Sequence, residues 1–345
     1  MLQTHNKRLT LQFHITGKCN LQCKHCYREE GNVEPLTLRD VQTVIDQFLV
    51  LLQKYNQLHG IKKRGHINIT GGEPFFREDI KEILRYLGKH NSQITYAVLT
   101  NGSFLDHETI LLLKETNVSF VQLSIDGNEE MHNKLRAAGD YTRVFCTAET
   151  LVNSGIRTYI SFTANKQNMR FLPVVARECR KRHIHKLWSD RLVPIGRGND
   201  LQALEITERE LPLYLHYLKK AQGNFVTKLR YPKTEVTLNR ALQFLCTDCS
   251  VYSCAAGKSL ITVDEFGNIM PCRRMPIICS NIFSSTLENV YFSDYTFTDL
   301  RKEKIPAECI SCAYSSVCMG GAKCQSFAKT GDYTRADPAC PKRRR

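Results

Sequence analysis

The sequence contains no long apolar run, and its amino terminus lacks the apolar segment of a secretory signal peptide. A helix that crosses a bilayer needs about 18 consecutive apolar residues, whereas the strongest apolar run here is the short one from Phe48 to Leu52. The chain starts with the polar stretch MLQTHNKRLTLQ, which does not have the pattern of a signal sequence. We therefore expect a cytoplasmic protein without a membrane partner.

The low hydrophobicity that marks intrinsic disorder is also absent. Hydrophobic residues make up 42% of the 345 residues, which is enough for the core of one large domain, or of a large and a small one. Acidic residues are the minority among charges, with 34 Asp and Glu against 48 Lys and Arg. The basic residues are spread along the whole chain, so we interpret the net charge of +14 as a solvated surface and expect no nucleic-acid partner.

Cysteine is scarce in the middle of the chain and abundant at both ends. Of the 15 cysteines, three lie by residue 26, two lie between residues 27 and 245, and ten lie in the last 100 residues. A reducing compartment disfavours disulfides, so clustered cysteines there indicate metal ligands. The isolated Cys146 and Cys179 are interpreted as packing residues.

Short β-rich segments alternate with amphipathic helical patterns from residue 10 to about residue 222, which indicates βα units around a parallel sheet. Six strands are predicted, over residues 10–16, 65–70, 93–100, 119–125, 157–163 and 186–195. Six units are fewer than the eight of a closed barrel. We predict an α/β fold with a partial (β/α)6 TIM-like barrel at 1–225, a linker or bridging region at 226–245 and a small cysteine-rich domain at 246–345.

The first four predicted strands each end in a loop with chemically distinctive residues. These loops contain Cys19 to Cys26, Gly71-Gly72-Glu73-Pro74, Thr100-Asn101-Gly102 and Asp126-Gly127. In parallel β/α folds, the loops at the carboxyl ends of the strands build the active site. The sequence therefore predicts one shared site at this end of the barrel.

The first of these loops has three cysteines at the spacing C-x3-C-x2-C, namely Cys19, Cys23 and Cys26. Three thiolates can bind three irons of a [4Fe-4S] cluster and leave the fourth iron open. A structural zinc site is the alternative, with His25 or His14 as its fourth ligand. Spacing alone leaves both open, and the position in the first βα loop of a barrel favours the iron-sulfur cluster.

The same triplet, with His25 at the φ position of C-x3-C-x-φ-C, resembles the hallmark of the radical S-adenosylmethionine (radical SAM) superfamily. The resemblance implies that the open iron chelates S-adenosylmethionine. It also implies that reductive cleavage of this cosubstrate yields a 5′-deoxyadenosyl radical, which abstracts a hydrogen atom. The missing fourth ligand is then the functional feature of the site.

The resemblance continues along the predicted barrel and assigns further residues to the cosubstrate. It implies that Gly71, Gly72 and Glu73 of a GGEP motif hold the amino group of its methionine moiety. It implies that Asn101 and Ser124 approach its ribose and carboxylate. For Arg191 two roles stay open, contact with the cosubstrate carboxylate or a substrate, and an ion pair at the barrel end.

The cysteines near the carboxyl terminus follow a pattern similar to the SPASM extension of radical SAM enzymes, which binds two auxiliary [4Fe-4S] clusters. The resemblance implies a distal cluster on Cys309, Cys312, Cys318 and Cys340. It implies a proximal cluster on Cys254, Cys272, Cys324 and an upstream thiol, Cys249 or Cys246.

Cys324 departs from the pattern of this extension, because it lies two positions beyond the usual spacing. The stretch around it is similar to the carboxyl end of the pyrroloquinoline quinone maturase. The proximal cluster is thus predicted to be complete only if Cys324 reaches it, and Cys279 is surplus. Asp126, Asp264 and Glu265 are considered as a general base, but no motif supports any of them.

Enzymes with this extension mostly modify ribosomally made peptides, so the resemblance implies oxidative maturation of such a peptide through a thioether link, a carbon–carbon link or a related change. Oxidation of a small molecule or cofactor precursor, such as a porphyrin or a quinone, is the alternative. The chain starts about ten residues before its first predicted strand, so we expect a leader peptide to use a separate carrier protein or the barrel itself. Flavodoxin or ferredoxin is the expected electron donor.

Overall fold

The structure is a computed structural model that describes residues 8–28, 36–246, 251–302 and 304–343. Its strands are β1 (Thr10–His14), β2 (Gly65–Thr70), β3 (Ile94–Leu99), β4 (Phe120–Ser124), β5 (Thr158–Ala164), β6 (Lys186–Arg191), β7 (Glu235–Thr237), β8 (Leu260–Val263), β9 (Asn268–Met270) and β10 (Ser280–Asn281). They form one sheet in the order β10-β9-β8-β1-β2-β3-β4-β5-β6-β7. The α/β fold with a parallel sheet, predicted from the sequence, is confirmed.

The helices alternate with the strands through the first two thirds of the chain and continue beyond them. They are α1 (Leu38–Leu58), α2 (Ile80–Lys89), α3 (His107–Glu115), α4 (Glu129–Leu135), α5 (Asp140–Asn153), α6 (Leu172–Lys181), α7 (Leu211–Gln222), α8 (Phe225–Arg230), α9 (Leu287–Ser293), α10 (Tyr295–Arg301), α11 (Ser315–Cys318) and α12 (Lys323–Thr330). Within the described ranges, every helix is too short or too polar to span a bilayer.

Local sequence explains how these elements form. Helix α1 begins with a capping box in which Thr37 and Asp40 bond to each other's backbone. Its buried residues recur at intervals of three or four from Val41 to Tyr55, so one face packs into the core. In strand β5 the residues alternate between buried and partly exposed positions, which is typical of a strand with two different faces.

The sheet curves around an internal space, because alternate residues of its strands line one cavity. Gln12 of β1, Asn68 of β2, Gln122 of β4, Ser161 of β5 and Trp188 of β6 all face it. The opposite faces of the strands pack against the helices in the main apolar core. The wall of this space therefore mixes polar and apolar groups, while the fully apolar layer lies between sheet and helices.

Four strands outside the six predicted ones, β7 to β10, extend the sheet. Strand β7 lies in the predicted linker at 226–245 and pairs parallel with β6, Val236 opposite Leu187. Strand β8 pairs parallel with β1, Ile261 opposite Leu11. The predicted linker thus contributes a strand, and the part of the chain after residue 246 joins the same sheet.

Candidate active site

The loops at the carboxyl ends of the strands open into a cavity of about 590 Å³. Its wall includes the three cysteines of the first loop, two glycines of the second and two residues of the third, Cys19, Cys23, Cys26, Gly71, Gly72, Thr100 and Asn101. Residues from strands β1 to β8 complete the wall. The structure therefore brings three of the four marked loops to a single place, and Asp126 of the fourth bonds to Arg136 on the same wall.

The cysteine loop is compact. The backbone N–H of Cys26 donates to the carbonyl of Cys23 at 3.2 Å, and the N–H of Leu21 donates to Cys19 Sγ at 3.5 Å. Burial raises the pKa of Cys19 and that of Cys23. Thiols of this kind become thiolate ligands when a metal displaces their protons.

Two side chains from other loops approach the sulfur atoms. Arg136 Nη1 lies 3.7 Å from Cys23 Sγ, and Asn101 Nδ2 lies 4.0 Å from Cys19 Sγ. Donors of this kind stabilise negative charge on a metal-bound sulfur. Arg136 follows helix α4 and carries no sequence signal that would have identified it.

Asp126, after β4, organises this side of the site. Its Oδ2 accepts from Arg136 Nε at 2.6 Å and lies 3.2 Å from His25 Nε2, while its Oδ1 accepts from the N–H of Thr163 at 2.7 Å. Burial alone would raise the pKa of Asp126, but the charges of Arg136 and His25 outweigh burial and hold the pKa well below its usual range. Asp126 is therefore a permanent carboxylate that orients two neighbours, and does not suit the role of a general base.

The two glycines of the second loop approach the backbone of the cysteine loop. A Cβ on Gly71 would lie 2.4 Å from Thr16 O, and a Cβ on Gly72 would lie 2.1 Å from Lys18 O. The N–H of Gly72 donates to Thr16 O at 2.8 Å. Only glycine permits this approach, and it leaves backbone groups at the cavity wall.

Glu73 is placed differently from the two glycines. It is fully buried, and its carboxylate accepts from Phe75 N at 3.1 Å, Thr100 Oγ1 at 2.6 Å and Asn101 N at 2.7 Å. Burial raises the pKa of Glu73. The side chain thus joins the second and third loops.

The remaining predicted residues fall into two groups. Ser124 lines the cavity and shares a hydrogen bond of 3.1 Å with Ser161. The guanidinium of Arg191 forms an ion pair with Asp337, in which Nη1 lies 3.1 Å from Oδ1. Both side chains are buried. For Arg191, the structure contains the ion pair, which was one of its two expected roles.

The zinc alternative requires several ligands around one point. Among the described residues, no group of three or more His, Cys, Asp and Glu side chains is arranged to hold a single metal ion. His25 is directed to Asp126, and His14 is buried with neither ring nitrogen hydrogen-bonded. In a cubane each thiolate binds a different iron, so the separated thiols suit a cluster better than one zinc ion.

The cysteines near the carboxyl terminus form two sets in space. Cys254, Cys272 and Cys324 line the large cavity, so the shifted spacing of Cys324 does not keep it away from the other two. The second set surrounds a separate cavity of about 20 Å³ and comprises Cys309, Cys312, Cys318 and Cys340.

The candidates for the upstream thiol and the surplus cysteine lie elsewhere. Cys246 is described, with its Sγ 3.1 Å from Gln243 O, whereas Cys249 lies outside the described residues. Cys279 donates to Ile277 O at 3.6 Å and belongs to neither cavity wall.

A family model described as the radical SAM superfamily matches residues 13–184. This range contains the end of β1, the cysteine loop, the glycine loop and strands β2 to β5.

Two kinds of relatives match nearly the whole chain. The AdoMet-dependent heme synthase of Methanosarcina barkeri is 24% identical over 359 residues, which cover 99% of this chain and 98% of that protein. The mycofactocin maturase MftC of Mycolicibacterium smegmatis is 26% identical over 342 residues, which cover 96% of this chain and 82% of that protein.

Solved structures with the same fold include two peptide complexes. The structure of Streptococcus suis SuiB bound to its precursor peptide SuiA aligns with a TM-score of 0.73 at 18% identity, over 97% of this chain and 76% of SuiB. The structure of anSMEcpe with bound AdoMet and the Cp18Cys peptide aligns with a TM-score of 0.75 at 18% identity, over 97% of this chain and 94% of the other. At this identity the alignments establish the shared fold.

Proposed function

The chain belongs to the radical SAM superfamily through residues 13–184 and is a radical SAM enzyme, and from this premise we propose that it oxidatively modifies a ribosomally made peptide. The observation that carries the proposal is the single cavity that holds the cysteine loop, the glycine loop and ample further space. A cavity of about 590 Å³ is in the range of sites that enclose a ligand of drug size, roughly 300–1,000 Å³. It accommodates a cosubstrate together with one side chain or terminus of a peptide.

The residues of the first loop suit the cofactors that the family uses, S-adenosylmethionine and one [4Fe-4S] cluster. Cys19, Cys23 and Cys26 are soft sulfur donors on one cavity wall. When bound, the reduced cluster supplies the electron that cleaves S-adenosylmethionine, and the resulting 5′-deoxyadenosyl radical abstracts hydrogen from the substrate. Arg136 and Asn101 donate toward two of the sulfurs.

The neighbouring loops position the cosubstrate in this proposal. The backbone of Gly71 and Gly72 offers polar groups for its methionine moiety, since no side chain intervenes. Asn101 and Ser124 offer side-chain amide and hydroxyl groups at the cavity wall. Glu73 acts through the loop that it holds, by its hydrogen bonds to Thr100 and Asn101.

We assign the later cysteines to two auxiliary [4Fe-4S] clusters. Cys254, Cys272 and Cys324 share the wall of the large cavity, with Cys246 or Cys249 as the fourth ligand. The distal set of four thiols surrounds the small cavity and can supply all four protein ligands of one cluster. Fully ligated clusters suit electron transfer, so these groups would accept the electron that an oxidation releases.

A peptide substrate is favoured by the maturases among the relatives and by the fold shared with peptide complexes. A separate carrier protein for a leader peptide, and flavodoxin or ferredoxin as electron donor, are the partners that we propose. The reduced thiols of such an enzyme suit the cytoplasm.

A small-molecule substrate is the second candidate, since an AdoMet-dependent heme synthase matches 99% of this chain. The two candidates differ in what lies beside the reacting group, a peptide backbone or a macrocycle. An assay distinguishes the two candidates, because the true substrate is converted to product while S-adenosylmethionine is consumed.

The first experiment tests the radical chemistry. Anaerobically reconstituted, dithionite-reduced protein should convert S-adenosylmethionine to 5′-deoxyadenosine, and Cys19→Ala, Cys23→Ala and Cys26→Ala should each abolish this conversion. Cys146→Ala is the matched control, because Cys146 is exposed on the outer face of α5. Absence of the nucleoside from wild-type protein with a full iron complement would contradict the proposal.

The second experiment tests the substrate class. Short precursor peptides encoded beside this gene, and iron coproporphyrin III, are incubated with the enzyme and analysed by mass spectrometry. A mass loss of two hydrogens, or another defined change, in a peptide supports maturation. A change confined to the porphyrin would replace our first candidate by the second.

A further inference from the structure

The wall of the large cavity carries an excess of cationic side chains. Six of them have a described carboxylate partner, and these ion pairs are Arg28–Glu265, Arg136–Asp126, Lys186–Glu235, Arg191–Asp337, Arg273–Asp264 and Arg274–Asp190. Among the described lining residues, Asp190 is the single carboxylate. The positive charge of these six cations is thus largely neutralised from outside the cavity.

Arg240 differs from these six cations. Within the part of the chain that the structure describes, it forms no ion pair, and its buried Nε has no hydrogen-bond partner. Arg240 lies near enough to Asp190 to influence its pKa. Burial would raise the pKa of Asp190, but the charges of Arg274 and Arg240 lower it. That carboxylate is already bonded to Arg274 at 2.7 Å. Among the described residues, Arg240 therefore has no carboxylate bonded to it alone, and it lines the cavity.

The guanidinium of Arg240 is held by packing. Its Cζ lies 4.3 Å from the ring centroid of Trp188, and Trp188 Nε1 donates to Gln122 Oε1 at 2.9 Å. The N–H of Arg240 donates to Gln243 Oε1 at 3.1 Å, and Gln243 Nε2 donates to Ser189 O at 2.7 Å. Hydrogen bonds thus hold both the ring of Trp188 and the backbone of Arg240, the latter through Gln243.

We propose that Arg240, stacked on Trp188, is the binding site for a carboxylate group of the substrate. A guanidinium offers two parallel N–H donors that match the two oxygens of a carboxylate. Stacking on an aromatic face fixes the plane of the guanidinium and leaves its edge available for such a pair. This inference rests on the proposed function in taking the cavity as the place where the substrate binds.

The location of Arg240 suits this role. Arg240 follows strand β7, which pairs with β6 at one edge of the sheet. The cysteine loop follows β1, which lies five positions from β6 in the strand order. Both face the same cavity. A substrate anchored through its carboxylate at Arg240 extends along the lumen toward the cysteine loop, which leaves the cosubstrate position free.

A carboxylate of this kind has three sources, a peptide carboxyl terminus, an Asp or Glu side chain, and a propionate of a small molecule. Three acid and amide pairs separate them as probes. They are N-acetylphenylalanine with its amide, N-acetylglutamate α-amide with N-acetylglutamine amide, and 3-phenylpropionate with 3-phenylpropionamide. Each pair differs in the charge of one group and little in size.

The chain has one tryptophan, so the fluorescence of Trp188 reports on this position directly. Cluster-loaded wild-type protein, Arg240→Gln and Arg240→Lys are titrated anaerobically with each probe, and calorimetry provides a second measure of binding. Arg177→Gln is the matched control, because it removes the same charge from α6, where the side chain is 67% exposed.

We expect wild type to bind at least one acid about tenfold or more tightly than its amide, as for one charge-assisted hydrogen-bonded pair. Arg240→Gln should lose this preference, Arg240→Lys should keep part of it, and Arg177→Gln should keep all of it. Equal affinity of wild type for acid and amide, no binding of any acid, or an unchanged preference in Arg240→Gln would each overturn the inference.

The outcome is independent of the proposed radical chemistry. Formation of 5′-deoxyadenosine by wild-type protein tests that chemistry without any of these probes. A protein that makes the nucleoside but shows no carboxylate preference refutes the subsite alone. A protein that shows the preference but makes no nucleoside refutes the proposed function and leaves the subsite in place.

Discussion

Two cysteine-bearing regions of this protein use the same ligand atom in opposite surroundings. The first loop places Cys19, Cys23 and Cys26 on the wall of a cavity of about 590 Å³. The distal set from Cys309 to Cys340 surrounds a space of about 20 Å³. Three thiols beside a large space suit a cluster with an exchangeable partner, whereas four thiols around a small space suit a cluster whose ligands are all protein.

Cationic side chains and buried thiols occur in both regions. Arg136 brings a cationic donor to Cys23, and Lys342 and Arg343 line the distal cavity. In the distal set, burial raises the pKa of Cys309 to about 11 and that of Cys318 to about 12, with neighbouring thiols and carboxylates adding to the effect. The regions therefore differ mainly in the number of cysteines and in the space beside them.

One substitution in each region tests most directly whether the two regions differ in function. Cys23→Ala should reduce formation of 5′-deoxyadenosine by more than about 1,000-fold, because the cosubstrate site loses one of three ligands. Cys312→Ala should lower the bound iron yet retain nucleoside formation above the level of Cys23→Ala. Iron analysis and chromatographic quantification of the nucleoside measure both.

Cys279→Ser is the control for these two variants, because Cys279 lies outside both cavity walls. Its iron content should equal that of wild type. If Cys312→Ala lost nucleoside formation as completely as Cys23→Ala, the functional distinction between the two regions would fail.

A second substitution tests how firmly the distal region is joined to the barrel. Asp337→Ala removes the buried partner of Arg191 and the acceptor for the N–H groups of Ala322 and Ala339. Leaving a buried charge without its partner costs about 3–5 kcal/mol. The free energy of unfolding, measured anaerobically in guanidinium chloride, should fall by this amount.

The control for this measurement is Asp200→Ala, at an exposed position, which should change the free energy of unfolding by less than about 0.5 kcal/mol. Asp337→Asn should lie between the two, since it retains an acceptor oxygen. A loss below about 1 kcal/mol for Asp337→Ala would show that the buried pair does not hold the two regions together.

The smallest expected effect concerns the charge next to the first loop. Arg136→Lys keeps the cation but removes the N–H directed at Cys23, so the reduced cluster should become harder to form. A bond that is about 1.5 kcal/mol stronger in the reduced state than in the oxidised state corresponds, when it is lost, to about 60 mV for one electron. A redox titration followed through the electron paramagnetic resonance signal that S-adenosylmethionine perturbs should show a midpoint potential more negative by this amount.

Arg182→Lys serves as the reference for Arg136→Lys, because Arg182 pairs with Glu178 away from the cavity. Its potential should match wild type. An equal shift in both variants, or none in Arg136→Lys, would mean that the donor does not tune the first cluster.

Much of the fold was predictable because local patterns carried it. Six strands appear within one to four residues of their predicted ends, and α1 begins where its capping residues place it. Strands β7 and β8 were not predicted, because three or four residues carry too little pattern. Their identity as strands depends on the edges of the sheet that β6 and β1 offer them.

The site was predictable to the extent that its residues follow strands in sequence. The loops with Cys19, Gly71 and Asn101 do so, and they meet at one cavity. Arg136 and Arg240 could not be found in this way, because an arginine has many uses and no spacing distinguishes these two. Glu73 had a motif, but its hydrogen bonds show that its carboxylate joins loops.

The number, type and spacing of the cysteines in the sequence indicate metal ligands, and the position of the first three in a βα loop favours an iron-sulfur cluster over zinc. Only the packed structure shows which of those cysteines share a cavity, how large that cavity is, and that Arg240 Nε has no hydrogen-bond partner among the described residues. The physical reason is that ligand preference belongs to single side chains, whereas space and charge balance arise only when distant segments pack against each other.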